Sequence, residues 1–324
     1  MSKRHDIAIG TGHDKHLVGI LCGAGAGGLW GLVLLAPALV RDFRPIDLAV
    51  GRYLAYGLMS GLLIVPRWRA LVAGLDAAAW WALGWLGLTG NLLYYVLLAT
   101  AVQMGGIAIT SLVIGFLPVA VTIIGSRDHG ALPLRRLAPS LLLCVAGSLC
   151  VGWQAVGVPD GRAVGPQLVG LACAVGALLS WTAFAVGNSR WLVRLKHVSA
   201  PDWNLAIGLM AGAQALLLSP GLLWMGVAHH DADAWILFTT VSIGVALFAS
   251  IVGNALWNRA CRLLPLTMVG QMILFETGFA LLYAFAWERR LPTGLESGAF
   301  LLVVLSVISC IAAHRRPLEG AAIP

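Results

Sequence analysis

Apolar residues run along this chain in long stretches, each closed by a short cluster of charge, proline or glycine. About 20 apolar residues in a helix, rising 1.5 Å each, match the ~30 Å hydrocarbon core of a bilayer. On that criterion the pattern predicts helical spans at 17–40, 46–65, 77–99, 105–125 and 137–153, then at 166–188, 203–224, 235–258, 263–286 and 294–313. The third and fourth are divided only by Gly105–Gly106. The basic Met1 to His16 segment before the first run resembles the start of a signal peptide. The run from Leu17 to Val40 is too long for a signal core and is expected to be a retained helix.

Charge supplies an orientation. With the N-terminus inside, the inner segments hold Lys3, Arg4, Lys15, Arg67, Arg69, Arg127, Arg135, Arg136, Arg190, Arg194, Lys196, Arg259, Arg262, Arg315 and Arg316. The outer ones hold Arg41, Arg44, Arg162, Arg289 and Arg290, and Arg52 lies within a span. A missed span would invert every later loop and destroy this asymmetry, so both termini are expected in the cytoplasm.

A second pattern lies over the first. Residues 54–61 read LAYGLMSG and residues 205–212 read LAIGLMAG, and the same offset pairs Cys22 with Cys173 and Trp30 with Trp181. Gly90-Asn91-Leu92-Leu93-Tyr94-Tyr95 is echoed by Gly253-Asn254-Ala255-Leu256-Trp257-Asn258. Two copies of an odd number of spans cross the membrane in opposite senses. The expected fold is therefore an all-α integral membrane protein whose ten transmembrane helices form two inverted five-helix repeats, an arrangement that lets halves rock about a midplane site.

Composition agrees: 59% of the 324 residues are apolar and 11% charged, against about 25% charged in soluble domains, and the mean hydropathy is +0.87. The net charge of +7 follows from the loop asymmetry and does not call for nucleic acid. Six cysteines (22, 144, 150, 173, 261 and 310) lie almost entirely in apolar runs without a CxxC pair and are expected to be inert buried thiols.

Three local features stand out: Arg52 after a proline start at Pro45, Pro118 within Phe116-Leu117-Pro118-Val119, and the ninth-span stretch from Phe275-Glu276-Thr277-Gly278 to Trp287-Glu288. Together with ten spans in two copies, they resemble the EamA branch of the drug/metabolite transporter superfamily. The first copy's turn, Arg127-Asp128-His129, lacks the glutamate. The resemblance implies EamA-like repeats at 17–153 and 166–313 with cytoplasmic tails at 1–16 and 314–324. Within the family the nearest type is the amino-acid exporters, including those for aromatic amino acids.

Polar side chains in hydrocarbon are costly and each asks for a reason. Glu276, the sole acid near the middle of a predicted span, is either a coupling or amine-binding site or a carboxylate pinned by helix donors. Arg52 is expected to snorkel to the outer headgroups or to form a structural pair; alternatively it lines a cavity and attracts a substrate carboxylate. Asn91, Tyr94 and Tyr95 share one helical face, as do Asn254, Trp257 and Asn258 in the other copy. These faces are expected to line a substrate cavity, with interhelical bonding as the alternative. Trp30 and Trp181 form a paired cavity wall or simple packing, and Gln271 is a weaker candidate. Trp80, Trp81, Trp153, Trp224, Trp235 and Trp287 near span ends are expected to be interfacial anchors.

The function these residues imply is a secondary carrier in a bacterial inner membrane, exporting amino acids or related small metabolites. Drugs, nucleosides or other metabolites are the alternative cargo. An intramembrane enzyme lacks a motif to support it: there is no HExxH, no paired acids, and every histidine falls outside the predicted spans. No Walker motif offers ATP-driven transport. The expected partners are a small-molecule substrate and the lipid bilayer, with no nucleic acid, cofactor or metal; His229-His230-Asp231 is expected to be a solvated loop. A monomer suffices for this reading, which leaves the oligomeric state open.

Overall fold

The computed structural model describes residues 2–35, 39–40, 42–128, 130–156, 164–224, 230–289 and 291–315. All regular structure among them is helical: α1 Ser2–Gly31, α2 Pro45–Ile64, α3 Trp68–Ala73, α4 Ala77–Gly87, α5 Leu93–Ile114, α6 Leu117–Gly125 and α7 Leu134–Val156. The second half adds α8 Val164–Arg194, α9 Ala200–Trp224, α10 Ala232–Val245, α11 Asn254–Leu263, α12 Leu266–Met272, α13 Leu274–Glu288 and α14 Gly294–Arg315. Among the described residues, six helices are long and apolar enough to cross a membrane: 46–73, 77–102, 165–194, 200–222, 232–263 and 294–314. Leu266–Ala280 is a shorter apolar helix. The chain is an all-helical membrane protein.

Its outer surface fits that solvent. Leu217 is 80% exposed, Leu58 67% and Leu142 69%, a burden no water-soluble domain would carry on its helix faces. Since lipid tails are as apolar as leucine, helix association must come from close packing. Small residues provide it. The two matched octapeptides lie against each other: a Cβ on Gly57 would stand 2.6 Å from the Gly212 Cα, and Gly208 meets Tyr56 and Ser60. As residue numbers rise on α2 they fall on α9, so the two helices are antiparallel at this crossing. Gly105 and Gly170 let α5 and α8 approach in the same way. The further packed pairs are α7 with α14, α6 with α12, and α1 with both α11 and α13.

Helix ends follow local chemistry. Asp76 accepts from Ala79 N at 2.7 Å and Asp231 from Ala234 N at 2.8 Å, capping α4 and α10. Asp47 binds both the backbone N–H and the guanidinium of Arg44 at the start of α2. The break expected between the third and fourth spans moves. The chain does not break at Gly105–Gly106; α5 continues to Ile114 and the break falls at Gly115–Phe116. Glycine in hydrocarbon keeps its helical bonds because no water competes for them, whereas Pro118, at the second position of α6, has no N–H to continue the previous helix.

At one end of the bundle, ion pairs join the two halves of the chain: Arg67–Asp202 at 2.8 Å, Arg190–Asp128 at 2.7 Å and Arg194–Asp76 at 3.9 Å. All three are partly exposed, so each contributes at most about 1 kcal/mol. Among the tryptophans expected at the interface, Trp81 and Trp235 are exposed and Trp80 rests on Trp68. The side chains of Trp153, Trp224 and Trp287 lie outside the described set.

Candidate functional site

Two helices widen at places that match in sequence. Between α4 and α5, residues Leu88–Leu92 form a π-helical turn that contains Gly90 and Asn91. Between α10 and α11, Ala246–Gly253 do the same and end directly before Asn254. Widened turns loosen the carbonyl ladder and turn carbonyls toward other donors. Around the first, Thr89 Oγ1 donates to Trp85 O, Ser180 Oγ to Thr89 O and Gln214 Nε2 to Gly84 O, each at 2.8 Å. Around the second, Trp30 Nε1 donates to Ala249 O at 3.2 Å, and Asn204 Nδ2 to Ser250 O and Ile251 O, both at 3.2 Å.

A cavity of about 240 Å³ lies between these turns. Its wall takes Trp30 and Val33 from the first helical segment, Arg52 and Tyr53 from α2, and Trp181 and Phe184 from α8. The first widened turn and α5 supply Gly90, Asn91, Tyr94, Tyr95, Leu98, Ala99 and Val102, and the far side is closed by Asn254 and Glu276. Cavities for drug-sized ligands run to about 300–1,000 Å³, so this one suits a single small metabolite.

The aromatic side of the wall is a connected cluster. Trp30 meets Trp181 edge-on at 6.1 Å, and Tyr94 and Phe184 lie 6.4 and 6.0 Å from Trp181. Such rings present apolar area with little freedom to lose on binding. Trp30 is fixed by a second bond from Nε1 to Asn254 Oδ1 at 3.1 Å. Asn91 is 4% exposed, yet its Nδ2 has no partner among the described residues. A buried amide donor beside a cavity is costly unless a ligand uses it.

Both charges stand on this wall. Arg52 is anchored by a serine of the second widened turn. Its Nε and Nη2 donate to Ser250 Oγ at 3.3 and 3.2 Å, and its guanidinium carbon lies 5.2 Å from the Tyr53 ring and 5.8 Å from the Tyr95 ring. Glu276, at the start of α13, donates its backbone N–H to Ile273 O, and its carboxylate makes no hydrogen bond or ion pair among the described residues. Arg52 and Glu276 therefore share one space without neutralising each other in a salt bridge.

Other sequence candidates sit elsewhere. Trp257 is buried behind the cluster, 5.1 Å from Trp30 and 5.8 Å from Trp181. Asn258 accepts from Asn188 Nδ2 at 2.7 Å, and Asn188 in turn accepts from Trp203 Nε1 at 2.9 Å. Gln271 is fully buried between helices, accepting from Ser306 Oγ at 3.0 Å and donating to Thr122 Oγ1 at 3.4 Å. His230 stacks on Phe43 at 4.0 Å and Asp231 caps α10, which accounts for both, while His229 lies outside the described residues. Among the described residues no group of three histidine, cysteine or acidic side chains is placed to hold a metal.

Sequence reasoning passed over Tyr53 and Phe184 on the wall and Asn204 and Ser250 behind it. Tyr53 was findable as an aromatic beside the in-span arginine, and Asn204 as an amide immediately before the second octapeptide. Phe184 and Ser250 carry no signal among so many apolar and small residues.

No family model matches the chain. It is 31% identical over 320 residues to the inner membrane protein YtfF of Escherichia coli (strain K12), an alignment covering 93% of this chain and 97% of that protein. The chain belongs to the YtfF family. This YtfF-family chain is also 28% identical over 294 residues to the uncharacterized transporter YdeK of Bacillus subtilis (strain 168), covering 86% and 89% of the two chains. A crystal structure superposes with a TM-score of 0.72 over 92% of the chain and 99% of its own length. At 16% identity that likeness establishes a shared fold.

Proposed function

We propose that this YtfF-family chain is a secondary carrier of EamA type, exporting amino acids or related small metabolites across the bacterial inner membrane. The observation that carries the reading is the cavity itself, where an unpaired carboxylate, a cation and an aromatic wall meet around an unpartnered amide. A zwitterion complements that set: its carboxylate takes Arg52, its ammonium takes Glu276, and an apolar or aromatic side chain lies along Trp30, Trp181 and Tyr94. The names of the two relatives, an inner membrane protein and a transporter, support a carrier in that membrane rather than an enzyme.

The architecture proposed is ten spans in two inverted repeats with both termini cytoplasmic. Antiparallel packing of the two octapeptides supports it, since equivalent helices of inverted copies must run in opposite senses. The cavity extends along α5 from Asn91 to Val102, away from the ion-paired end at Asp76. In that orientation the conformation is closed toward the cytoplasm.

The test is efflux from liposomes containing the purified protein and loaded with labelled aromatic, aliphatic and hydroxyl amino acids. Saturable, protein-dependent flux of one class is expected. Silence across the panel from folded protein overturns amino-acid cargo and moves the search to organic cations, which the aromatic wall and Glu276 favour as a second reading. If Glu276 couples transport to protons, Glu276→Gln removes the pH dependence of flux; a pH dependence equal to the parent's overturns that role.

A further inference from the structure

Arg52 is held from behind by side chains that do not touch the cavity. Ser250, fully buried in the second widened turn, accepts from two guanidinium nitrogens at 3.3 and 3.2 Å. That turn is fastened by Asn204 of α9, 1% exposed, whose Nδ2 donates to the carbonyls of both Ser250 and Ile251. Asn204 is fastened in turn by Tyr56, whose hydroxyl lies 2.8 Å from both its backbone oxygen and its Oδ1. Tyr56 stands one helical turn after Arg52 on α2. The bonds therefore close a ring: α2 to the turn through Arg52 and Ser250, the turn to α9 through Asn204, and α9 back to α2 through Tyr56.

We infer that Asn204 and Ser250 are positioning residues for a substrate carboxylate, acting through the orientation of Arg52; this rests on the zwitterion reading of the cavity. A guanidinium has five N–H donors in a fixed fork, and it recognises a carboxylate best when that fork is already aimed. Ser250 occupies the Nε and Nη2 side and leaves the remaining donors for a ligand, while Tyr53 and Tyr95 flank the guanidinium. An arginine on an apolar helix would otherwise sample several rotamers and lose entropy on every binding event. Ser250 can hold its place because Asn204 binds two successive carbonyls of the turn, those of Ser250 and Ile251. The same turn presents Ala249 O to Trp30 Nε1, so the carboxylate pole and the aromatic wall are referenced to one backbone segment.

Two measurements test this on the purified full-length chain. The first needs no substrate: phenylglyoxal modifies exposed, mobile guanidinium groups, and its adduct on Arg52 is read by mass spectrometry. Asn204→Leu and Ser250→Ala are each expected to raise the Arg52 labelling rate several-fold, with labelling of Arg44 unchanged. An unchanged Arg52 rate in Ser250→Ala, the milder variant, overturns the proposal whatever the cargo. The second uses reconstituted flux of labelled phenylalanine competed by phenylalanine or by phenethylamine, the same molecule without its carboxylate. Both variants are expected to lose about tenfold in apparent affinity for phenylalanine, ~1.4 kcal/mol, and less than about twofold for phenethylamine. Equal losses for both competitors mean a merely structural role and overturn the positioning assignment. Should Arg52→Ala itself weaken both competitors alike, the carboxylate role of Arg52 fails instead, a result distinct from the first.

Discussion

The stretches Gly90–Tyr95 and Gly253–Asn258 are alike in sequence, and each adjoins a widened turn, yet their side chains end in different places. In the first, Asn91, Tyr94 and Tyr95 all reach the cavity wall; in the second only Asn254 does, while Trp257 backs the aromatic cluster and Asn258 bonds Asn188. The cause lies in the turns. A π-helical residue advances less than the 100° of an α-helical one, and the second turn is eight residues long against five in the first. The longer lag rotates everything that follows it. Residues matched in sequence between the two halves share a position along the helix, but not a direction.

That comparison can be broken by substitution. The largest effect is expected at the paired glycines. A Cβ at Gly90 collides with the Phe184 ring, whereas one at Gly253 lies 3.1 Å from Trp30 Nε1. Gly90→Ala should cost about 1–3 kcal/mol as an overpacked site and strongly reduce flux; Gly253→Ala should fold normally and change flux only modestly. Thermal unfolding in detergent, with flux from the same preparations, ranks the two, and the reverse order would refute the account.

The asparagines should separate stability from transport. Asn258→Leu leaves the buried Asn188 amide without its acceptor and is expected to destabilise by about 1–3 kcal/mol, with the KM of the folded fraction close to the parent's. Asn91→Leu removes an amide whose Nδ2 is already unpartnered, so it should leave melting unchanged or slightly raised while flux falls. Identical behaviour of the two variants would mean that the faces are equivalent after all.

Smaller effects are expected where one side chain fastens one turn. Trp30→Phe keeps an aromatic ring, though a smaller one, and removes the bonds to Ala249 O and Asn254 Oδ1, at about 1 kcal/mol, and should raise KM more than it lowers the maximum rate. Gln214→Leu removes the single bond to Gly84 O at the first turn. It should cost about 0.5–1.5 kcal/mol without altering competitor selectivity, in contrast to Asn204→Leu at the second.

Much of the fold was legible because hydrocarbon imposes so narrow a rule. A spanning segment must be a helix with nearly every backbone group paired within it, so apolar runs with charged ends marked α2, α7, α9 and α14 to within a few residues, while α8 runs on past its expected end at 188 to Arg194. The rule weakens where helices join. Between α4 and α6 the apolar pattern is continuous, and the break falls at Gly115–Phe116 rather than at the glycine pair.

Along the chain alone, the residues that had to be explained stand out: an arginine within one apolar run and a glutamate near the middle of another, two matched polar–aromatic faces, and an octapeptide met twice in near-identical form. These stand out because polar groups in lipid are costly and because similar segments recur at a nearly constant offset. Only the tertiary structure decided that Arg52 and Glu276 share one cavity without pairing, and that Asn258 and Gln271 serve helix contacts. The physical reason is that sequence records where a residue lies along its helix. The direction it faces, and the partner it finds there, depend on the phase of turns such as Ala246–Gly253 and on how closely small residues such as Gly57 and Gly212 let the helices approach.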